Sequence, residues 1–141
     1  MEKLTVKDIN VEGMRVLVRA DFNVLRNRAG EIIDDYKITA SLPTLKYLLK
    51  KEAKVIIATH LGRAFGRATE YDRVDVIAER PTKLLKVKVT KLDKTVGSSV
   101  VAAVKKMKPG EIVLLENIRF HPEEFENEPH FANKLDSPAD V

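Results

Sequence analysis

Three short segments of this 141-residue chain carry polar side chains that could bind a small anion. The segments are Asp21-Phe22-Asn23, His60-Leu61-Gly62-Arg63 and Asn117-Ile118-Arg119-Phe120-His121. Arg63 and Arg119 carry planar guanidinium groups, which can hold a carboxylate or a phosphate through two hydrogen bonds. His60 can donate to an oxyanion, Asn23 can donate and accept, and Gly62 lets the backbone approach a ligand closely. Together these residue types indicate an anion-binding site.

Each segment also has an ordinary structural interpretation. An aspartate or asparagine after a strand is commonly a turn residue or a helix cap, and a single surface arginine commonly forms an ion pair. Asp21 would repel an anion, so in a binding site it would bond a ligand hydroxyl or hold an arginine in place. The joint occurrence of the three segments makes a shared binding site as plausible as three separate structural roles.

Several familiar catalytic motifs are missing from the sequence. It contains no GxGxxG, no GxxxxGK[ST] and no GxSxG, so the common nucleotide-phosphate loops and the nucleophilic serine elbow are not predicted. The three histidines lack the tight spacing of metal ligands, and there is no cysteine. We therefore predict no metal site and no disulfide.

The elements that would position these segments alternate along the chain. Apolar or alternating runs predict four strands, over 15–20, 54–59, 86–90 and 112–116. Apolar side chains at helical spacing predict four helices, over 38–49, 72–85, 98–107 and 122–135. Ser98 or Ser99 is the candidate cap of the third helix. Pro43 predicts a kink or a late start in the first helix, and Pro81 interrupts the second.

This alternation predicts an α/β fold. We expect a doubly wound, mainly parallel, Rossmann-like sheet in a three-layer α/β/α arrangement with right-handed crossovers. Two continuous apolar strands, 54–59 and 112–116, are typical of a parallel sheet covered on both faces. The segment 26–33, with Gly30, is predicted as an excursion or hairpin. Ligands of such sheets bind beyond the carboxyl ends of the strands, so the three polar segments would share one rim.

The composition is that of a single globular domain, with 44% hydrophobic and 33% charged residues. The longest apolar run, Val100–Val104, is too short to cross a bilayer, and no signal segment is visible, so a cytoplasmic location is expected. Six of the 21 acids and one of the 25 bases lie in 121–141, which leaves residues 1–120 with a net charge of +9. This excess indicates an anionic partner. A small phosphorylated ligand fits better than nucleic acid, because the bases are scattered and few aromatics accompany them.

Four longer stretches that contain these segments resemble the amino-terminal domain of the phosphoglycerate kinase family. They are RVLVRADFNV (15–24), IIDDYKITASLPTLKYLL (32–49), AKVIIATHLGR (53–63) and GEIVLLENIRFHPEE (110–124). They occur in the family's order, and the resemblance runs from about residue 4 to the last residue. It implies a two-domain glycolytic enzyme that transfers a phosphoryl group between 1,3-bisphosphoglycerate and ADP. In this family the amino-terminal domain binds the phosphoglycerate and the carboxyl-terminal domain binds the nucleotide.

The resemblance also implies roles for individual residues. The implied substrate-binding set is Asp21, Phe22, Asn23, Lys37, His60, Leu61, Gly62, Arg63 and Arg119. Within it, Asp21 and Asn23 would hold the hydroxyl and carboxylate region of the substrate. His60 and Arg63 would bind the phosphate side of the substrate, and Arg119 would bind the same phosphate. Leu61 and Gly62 would shape the loop.

The chain departs from the family pattern at a few positions. Lys37 stands where the family usually has an arginine that stabilises the transferred group, so Lys37 is the candidate catalytic residue. A lysine keeps the charge but loses the planar fork. Leu25 and Ala64 replace usual prolines, and Pro138 stands where a small or apolar residue is usual.

From the resemblance we expect residues 1–141 to be an incomplete amino-terminal domain that lacks its last strand or strands. The nucleotide-binding carboxyl-terminal domain would be absent. This chain would then bind no cofactor itself, whereas the full-length enzyme uses MgATP and MgADP. The expected partner is 3-phosphoglycerate or 1,3-bisphosphoglycerate, with no nucleic acid and no membrane. Self-association through an exposed sheet edge is also expected.

Two other functions remain open from the sequence. The chain could be a non-catalytic binding or regulatory module that kept the fold, which Lys37 and the short length suggest. The basic body alone suggests a nucleic-acid-binding domain. For the phosphoglycerate kinase interpretation, the chain by itself is expected to be inactive.

Overall fold

The computed structural model describes residues 2–141. The strands are β1 (Arg15–Arg19), β2 (Leu25–Arg26), β3 (Ile32–Asp34), β4 (Lys54–Ala58), β5 (Val89–Lys91) and β6 (Ile112–Leu114). The helices are α1 (Tyr36–Lys50), α2 (Asp75–Leu85), α3 (Ser98–Lys105), α4 (Pro122–Phe125) and α5 (Pro129–Asp136). Two short 3-10 turns cover Glu70–Asp72 and Ile118–Phe120. None of the helices in the described part is long and apolar enough to cross a membrane.

Four strands form a parallel sheet in the order β1-β4-β6-β5. The remaining two, β2 and β3, pair antiparallel as a separate hairpin between β1 and α1. The predicted α/β class, the parallel sheet and the excursion over 26–33 are therefore confirmed. The sheet order puts β4 and β6 in the centre, which explains why these two strands have continuous apolar sequences.

The sheet is covered on both faces, which confirms the three layers. Along β4, Val55 and Ile57 pack in a buried cluster that also contains side chains of α1 and α2. Ile56 and Ala58 point to the opposite face and pack with side chains of α3. Because successive side chains of a strand alternate between faces, an unbroken apolar run such as 54–59 supplies both clusters at once.

The single helix predicted over 122–135 is wrong, because the structure divides this segment into α4 and α5. Asn127 takes a positive φ of +50° between them, which breaks the helical path. Pro129 then starts α5, where its missing N–H costs no hydrogen bond. The Glu128 carboxylate accepts from backbone N–H groups of the first turn of α5 and caps it.

The other helix boundaries differ from the prediction in smaller ways. Helix α1 begins at Tyr36 and runs through Pro43, so the proline neither starts nor ends it. Helix α2 likewise contains Pro81. Helix α3 follows Gly97, and neither Ser98 nor Ser99 supplies the predicted side-chain cap.

The strand predicted over 86–90 begins three residues later than predicted and ends one residue later. Lys86 takes a left-handed φ of +56° as the C-cap of α2, so the chain cannot be extended there. The strand β5 therefore begins at Val89 and includes Lys91, which the prediction placed beyond the strand end.

The last residues of the chain pair with the outer edge of β1. The Val141 N–H donates to the Arg15 carbonyl at 3.2 Å, and the Val141 carbonyl accepts from the Leu17 N–H at 2.8 Å. Arg15 Nη2 donates to Asp140 Oδ1 at 2.8 Å and forms an ion pair with it. This hydrogen-bonded ion pair lowers the pKa of Asp140 to about 2. The pairing covers the first part of the β1 edge, up to Leu17.

Candidate anion-binding site

The three polar segments meet at the carboxyl ends of β1, β4 and β6. The Phe22 N–H donates to the Thr59 hydroxyl at 2.9 Å, which ties the end of β1 to the end of β4. The Ile118 N–H donates to the Thr59 carbonyl at 3.1 Å, which ties in the end of β6. Thr59 is fully buried and was not singled out in the sequence. The shared rim predicted from the strand ends is therefore present.

Asp21 and Lys37 form an ion pair on this rim. Lys37, in the first turn of α1, places its Nζ 3.0 Å from Asp21 Oδ2. Asp21 Oδ1 accepts from the Asn23 N–H at 3.0 Å. Burial opposes ionisation of Asp21, but the hydrogen bond from Lys37 and the N–H of Asn23 outweigh it and lower its pKa. Asp21 thus holds a basic side chain, but this side chain is the lysine Lys37 and not the arginine that the sequence analysis considered.

Two asparagines fix the loop over 60–63. Asn23 Oδ1 accepts from the Gly62 N–H at 2.9 Å. Asn117, which is fully buried, donates from Nδ2 to the Leu61 carbonyl and to the Asp72 carbonyl, both at 2.8 Å. Buried polar side chains that satisfy several backbone groups at once hold a loop in a single conformation. Asn23 therefore positions the loop, in addition to any contact with a ligand.

A buried ion pair lies against the inner side of the same loop. Arg26 Nη2 is 3.0 Å from Asp72 Oδ1, with side chains 4% and 13% exposed. The Arg26 guanidinium also lies 4.1 Å from the centre of the Tyr71 ring and donates to the Tyr71 carbonyl. Gly62, with φ of +65°, packs directly on this pair. Neither Arg26 nor Asp72 was predicted, because the pair joins two segments far apart in sequence.

A carboxylate bridges two arginines beside His60. Arg19 Nη2 lies 3.3 Å from Glu124 Oε1, and Arg119 Nε lies 3.4 Å from Glu124 Oε2. Burial and the nearby charges of Arg119 and Arg19 lower the pKa of His60, so its neutral form is favoured. The Nδ1 atom of His60 is buried and has no hydrogen-bond partner in the described part of the chain. His60 thus keeps an unused polar atom beside two cations.

Arg19 is a site residue that the sequence reasoning missed. It ends β1, two positions before Asp21, so both residues lie at the carboxyl end of the same strand. That placement was a usable signal, because a cation at a strand end on the ligand side of the sheet belongs to the rim. Glu124 gave no such signal, since it is one of several acids in 121–141.

The remaining predicted site residues differ in accessibility. The side chains of Phe22 and Leu61 are fully buried, so they support the rim from below and present only backbone to it. Arg63 is exposed, and within residues 2–141 its side chain makes no ion pair or hydrogen bond that would fix its direction.

Over the same residues, the structure shows no group of three or more acidic or histidine side chains that could hold a metal ion.

A second charged network, behind Asn117, was also missed. Lys91 Nζ lies 2.7 Å from Glu116 Oε2 and 2.9 Å from Asp75 Oδ2. Glu116 Oε1 accepts from the N–H groups of Val74 and Asn117. The network fixes the end of β6 and thereby the residue that holds the 60–63 loop. Its signal in the sequence was the acid at the end of an apolar strand.

The fold and this rim define the class of protein, a parallel α/β domain with basic side chains gathered at the carboxyl ends of its strands. The sequence profile described as phosphoglycerate kinase matches residues 6–141. The chain belongs to the phosphoglycerate kinase family.

Similar proteins support this assignment. The chain is 50% identical over 141 residues to a phosphoglycerate kinase of Moorella thermoacetica and 47% identical over 141 residues to one of Pelotomaculum thermopropionicum. Each alignment covers 100% of this chain and 36% of the relative. The crystal structure of phosphoglycerate kinase from Pyrococcus horikoshii matches with a TM-score of 0.87 and 30% identity, over 98% of this chain and 35% of that one. The structure of the Coxiella burnetii enzyme matches with a TM-score of 0.81 at 28% identity, over 97% of this chain and 33% of that one. This chain therefore spans about a third of the length of these relatives.

Proposed function

We propose that this chain binds 3-phosphoglycerate or 1,3-bisphosphoglycerate at the rim, as the substrate-binding part of a phosphoglycerate kinase. The observation that carries the proposal is the group of basic side chains at the carboxyl ends of β1, β4 and β6. Arg19 and Arg119 share one carboxylate there, and Lys37 and His60 lie close to Asp21. A small molecule with a phosphate and a carboxylate complements such a rim.

The proposed contacts are those that the resemblance to the phosphoglycerate kinase family implies, and the chemistry of each group is compatible with them. Asp21 accepts a hydrogen bond from the substrate hydroxyl. Asn23 lies beside Asp21, near the carboxylate of the substrate. His60, Arg63 and Arg119 hold the phosphate. Positioned cations of this kind supply most of what phosphoryl transfer needs, since little covalent chemistry is left to the protein.

Lys37 is the proposed catalytic residue. Its ammonium group already faces the rim, 3.0 Å from Asp21 Oδ2, and could move to a phosphoryl oxygen whose charge develops during transfer. MgATP or MgADP would supply or accept the phosphoryl group, and we propose that residues outside this chain bind that nucleotide. Turnover by this chain alone is therefore not expected, and the setting would be cytoplasmic glycolysis.

Titration calorimetry with 3-phosphoglycerate tests the proposal. We expect weak binding by the chain, and a loss of roughly tenfold or more for Arg119→Ala, because a charge-assisted hydrogen bond to the ligand is removed. Lys106→Ala is the matched control. It removes the same charge at the C-cap of α3, toward the opposite end of the sheet, and should leave the affinity unchanged. No binding at millimolar ligand by the folded wild-type chain contradicts the proposal.

We further propose that the chain associates with a second copy through the outer edge of β1. Support comes from the short pairing of Asp140 and Val141, which reaches only to Leu17 and leaves the Arg19 end of the edge beyond it. Unpaired strand edges are templates for further pairing. Light scattering over a concentration series should show a dimer fraction that grows with concentration. A constant monomer mass at millimolar protein contradicts this part of the proposal.

A further inference from the structure

The carboxylate of Glu124 already contacts the basic side chains of the rim. One oxygen of the Glu124 carboxylate faces Arg19 at 3.3 Å, and the other faces Arg119 at 3.4 Å. The Glu124 side chain is 19% exposed, so water can reach the bridge. Arg119, which is proposed to hold the ligand phosphate, and its neighbour Arg19 are thus partly neutralised before any ligand binds.

The position of Glu124 is set by the packing around α4. Phe125 stacks on the exposed ring of Phe65, with ring centres 5.7 Å apart. The Arg119 guanidinium lies 5.4 Å from the centre of the Phe125 ring. The Gly66 N–H donates to the Arg119 carbonyl at 2.7 Å, so the loop that contains Phe65 and Gly66 is also tied to the backbone of Arg119. These contacts hold the carboxylate near the arginines, so its effective concentration there is high.

The bridge itself is weak. Charge-assisted hydrogen bonds between guanidinium and carboxylate are typically about 2.7–2.9 Å, shorter than both contacts of Glu124. Each contact involves a single nitrogen, Nη2 of Arg19 and Nε of Arg119, and neither is the two-bond fork that an arginine forms with a well-placed oxyanion. A ligand that offers more charge and more oxygens could therefore displace Glu124.

We propose that Glu124 is a tethered competitor for the anion site, so that only an anion which binds the rim more strongly than a carboxylate, such as a phosphate dianion, occupies the site at low concentration. This inference rests on the proposed function in one respect, since it takes the rim to be the anion-binding site. A free carboxylate that replaces Glu124 exchanges one carboxylate for another and also loses the advantage of the tether. A phosphate dianion brings about twice the charge and three acceptor oxygens, so it gains on exchange. The displaced Glu124 then moves to solvent.

The test measures inorganic phosphate and acetate separately at pH 8, by titration monitored through amide chemical shifts. For Glu124→Gln we expect about fivefold tighter phosphate binding, the size of a partly exposed ion pair. Acetate should gain by about the same factor, because both anions must displace the same carboxylate. Glu126→Gln is the matched control, since it removes the same charge just after α4, where Glu126 is exposed. It should change neither affinity by more than twofold.

Phosphate affinity that is unchanged or weaker in Glu124→Gln, with the control unchanged, overturns the inference. That result would make Glu124 a residue that positions the two arginines. If Glu124→Gln fails to fold, Glu124→Asp serves instead, because its carboxylate is one methylene shorter and reaches the arginines poorly. A gain in phosphate affinity of about twofold is then expected, and no gain overturns the inference.

A parallel titration with 3-phosphoglycerate separates this inference from the proposed function. Tighter phosphate binding by Glu124→Gln, with no 3-phosphoglycerate binding by either protein, supports the competitor and contradicts the proposed function. Binding of 3-phosphoglycerate by the wild-type chain, with no gain for phosphate in Glu124→Gln, supports the function and overturns the competitor.

Discussion

Gly62→Ala is expected to lower the free energy of unfolding by about 2–4 kcal/mol and to abolish phosphoglycerate binding. Gly62 has a φ of +65°, a conformation that an alanine adopts at a cost of about 1–2 kcal/mol. A Cβ atom at this position would lie 2.0 Å from Asp72 Oδ1 and 2.8 Å from Asp72 Cγ. Both distances are impossible without movement, so either the 60–63 loop or Asp72 must shift.

Asp72 cannot shift without losing several contacts. Its Oδ1 faces the buried Arg26 guanidinium at 3.0 Å, and its Oδ2 accepts from the Thr69 hydroxyl at 3.1 Å. Its backbone carbonyl accepts from Asn117 Nδ2, which also holds the loop at the Leu61 carbonyl. Displacing one member of a buried ion pair leaves the other charge without compensation. We therefore expect the loop to move as well, which takes Gly62 and its neighbours away from the rim.

Urea unfolding and the 3-phosphoglycerate titration measure these two effects. Gly13→Ala is the matched control, because Gly13 has the same φ of +65° but no heavy atom near a new Cβ. In the control, the free energy of unfolding should fall only by the conformational cost of about 1–2 kcal/mol, and the affinity for 3-phosphoglycerate should stay at the wild-type value. Equal losses of stability in the two variants would show that the contact with Asp72 is harmless, contrary to this prediction.

Much of the fold could be predicted because it depends on local apolar patterns. The runs at 54–59 and 112–116 are central strands, and their lack of alternation correctly indicated a sheet covered on both faces. The errors fell where one backbone angle decides the outcome. The left-handed angles of Lys86 and Asn127 shifted β5 and divided the last helix. Neither residue is a glycine, so the sequence did not mark these turns.

The candidate site was predictable in position but not in its internal contacts. Strand ends fix which segments share a rim, and that needs only the order of elements. The partners that orient the side chains lie far away in sequence. Glu124 is 105 positions from Arg19, and Asp72 is 46 positions from Arg26. No periodicity connects such pairs, so only the folded arrangement shows that they meet.

The second large effect is expected at the network behind Asn117, where Lys91→Met should lower the free energy of unfolding by about 3–5 kcal/mol. The side chains of Lys91 and Glu116 are 8% and 5% exposed, and their charged atoms are 2.7 Å apart. Without the ammonium, Arg73, at 3.3 Å, is the one cationic partner that Glu116 keeps among residues 2–141. Its other oxygen is committed to the N–H groups of Val74 and Asn117, so the carboxylate cannot turn toward solvent.

A double variant distinguishes the loss of charge balance from the loss of packing. In Lys91→Met combined with Glu116→Gln, the glutamine carbonyl can still accept from Asn117 while the uncompensated charge is gone. We expect this protein to recover most of the stability that Lys91→Met loses. Lys88→Met is the control, because Lys88 is exposed near the same strand and should change the stability by no more than about 0.5 kcal/mol. A double variant no more stable than Lys91→Met would point to packing as the cause.

The pH dependence of unfolding provides a further check on the same pair. Burial favours the neutral amine of Lys91, but the carboxylates of Glu116 and Asp75 outweigh it and raise its pKa above the usual 10.5. A raised pKa in the folded state means that the pair stabilises the fold fully below pH 10.5 and loses this effect as the pH rises through the folded value. The wild-type chain should therefore lose stability more steeply above pH 10.5 than the Lys91→Met variant does. Parallel curves for the two proteins would show that Lys91 does not stabilise the fold through its charge.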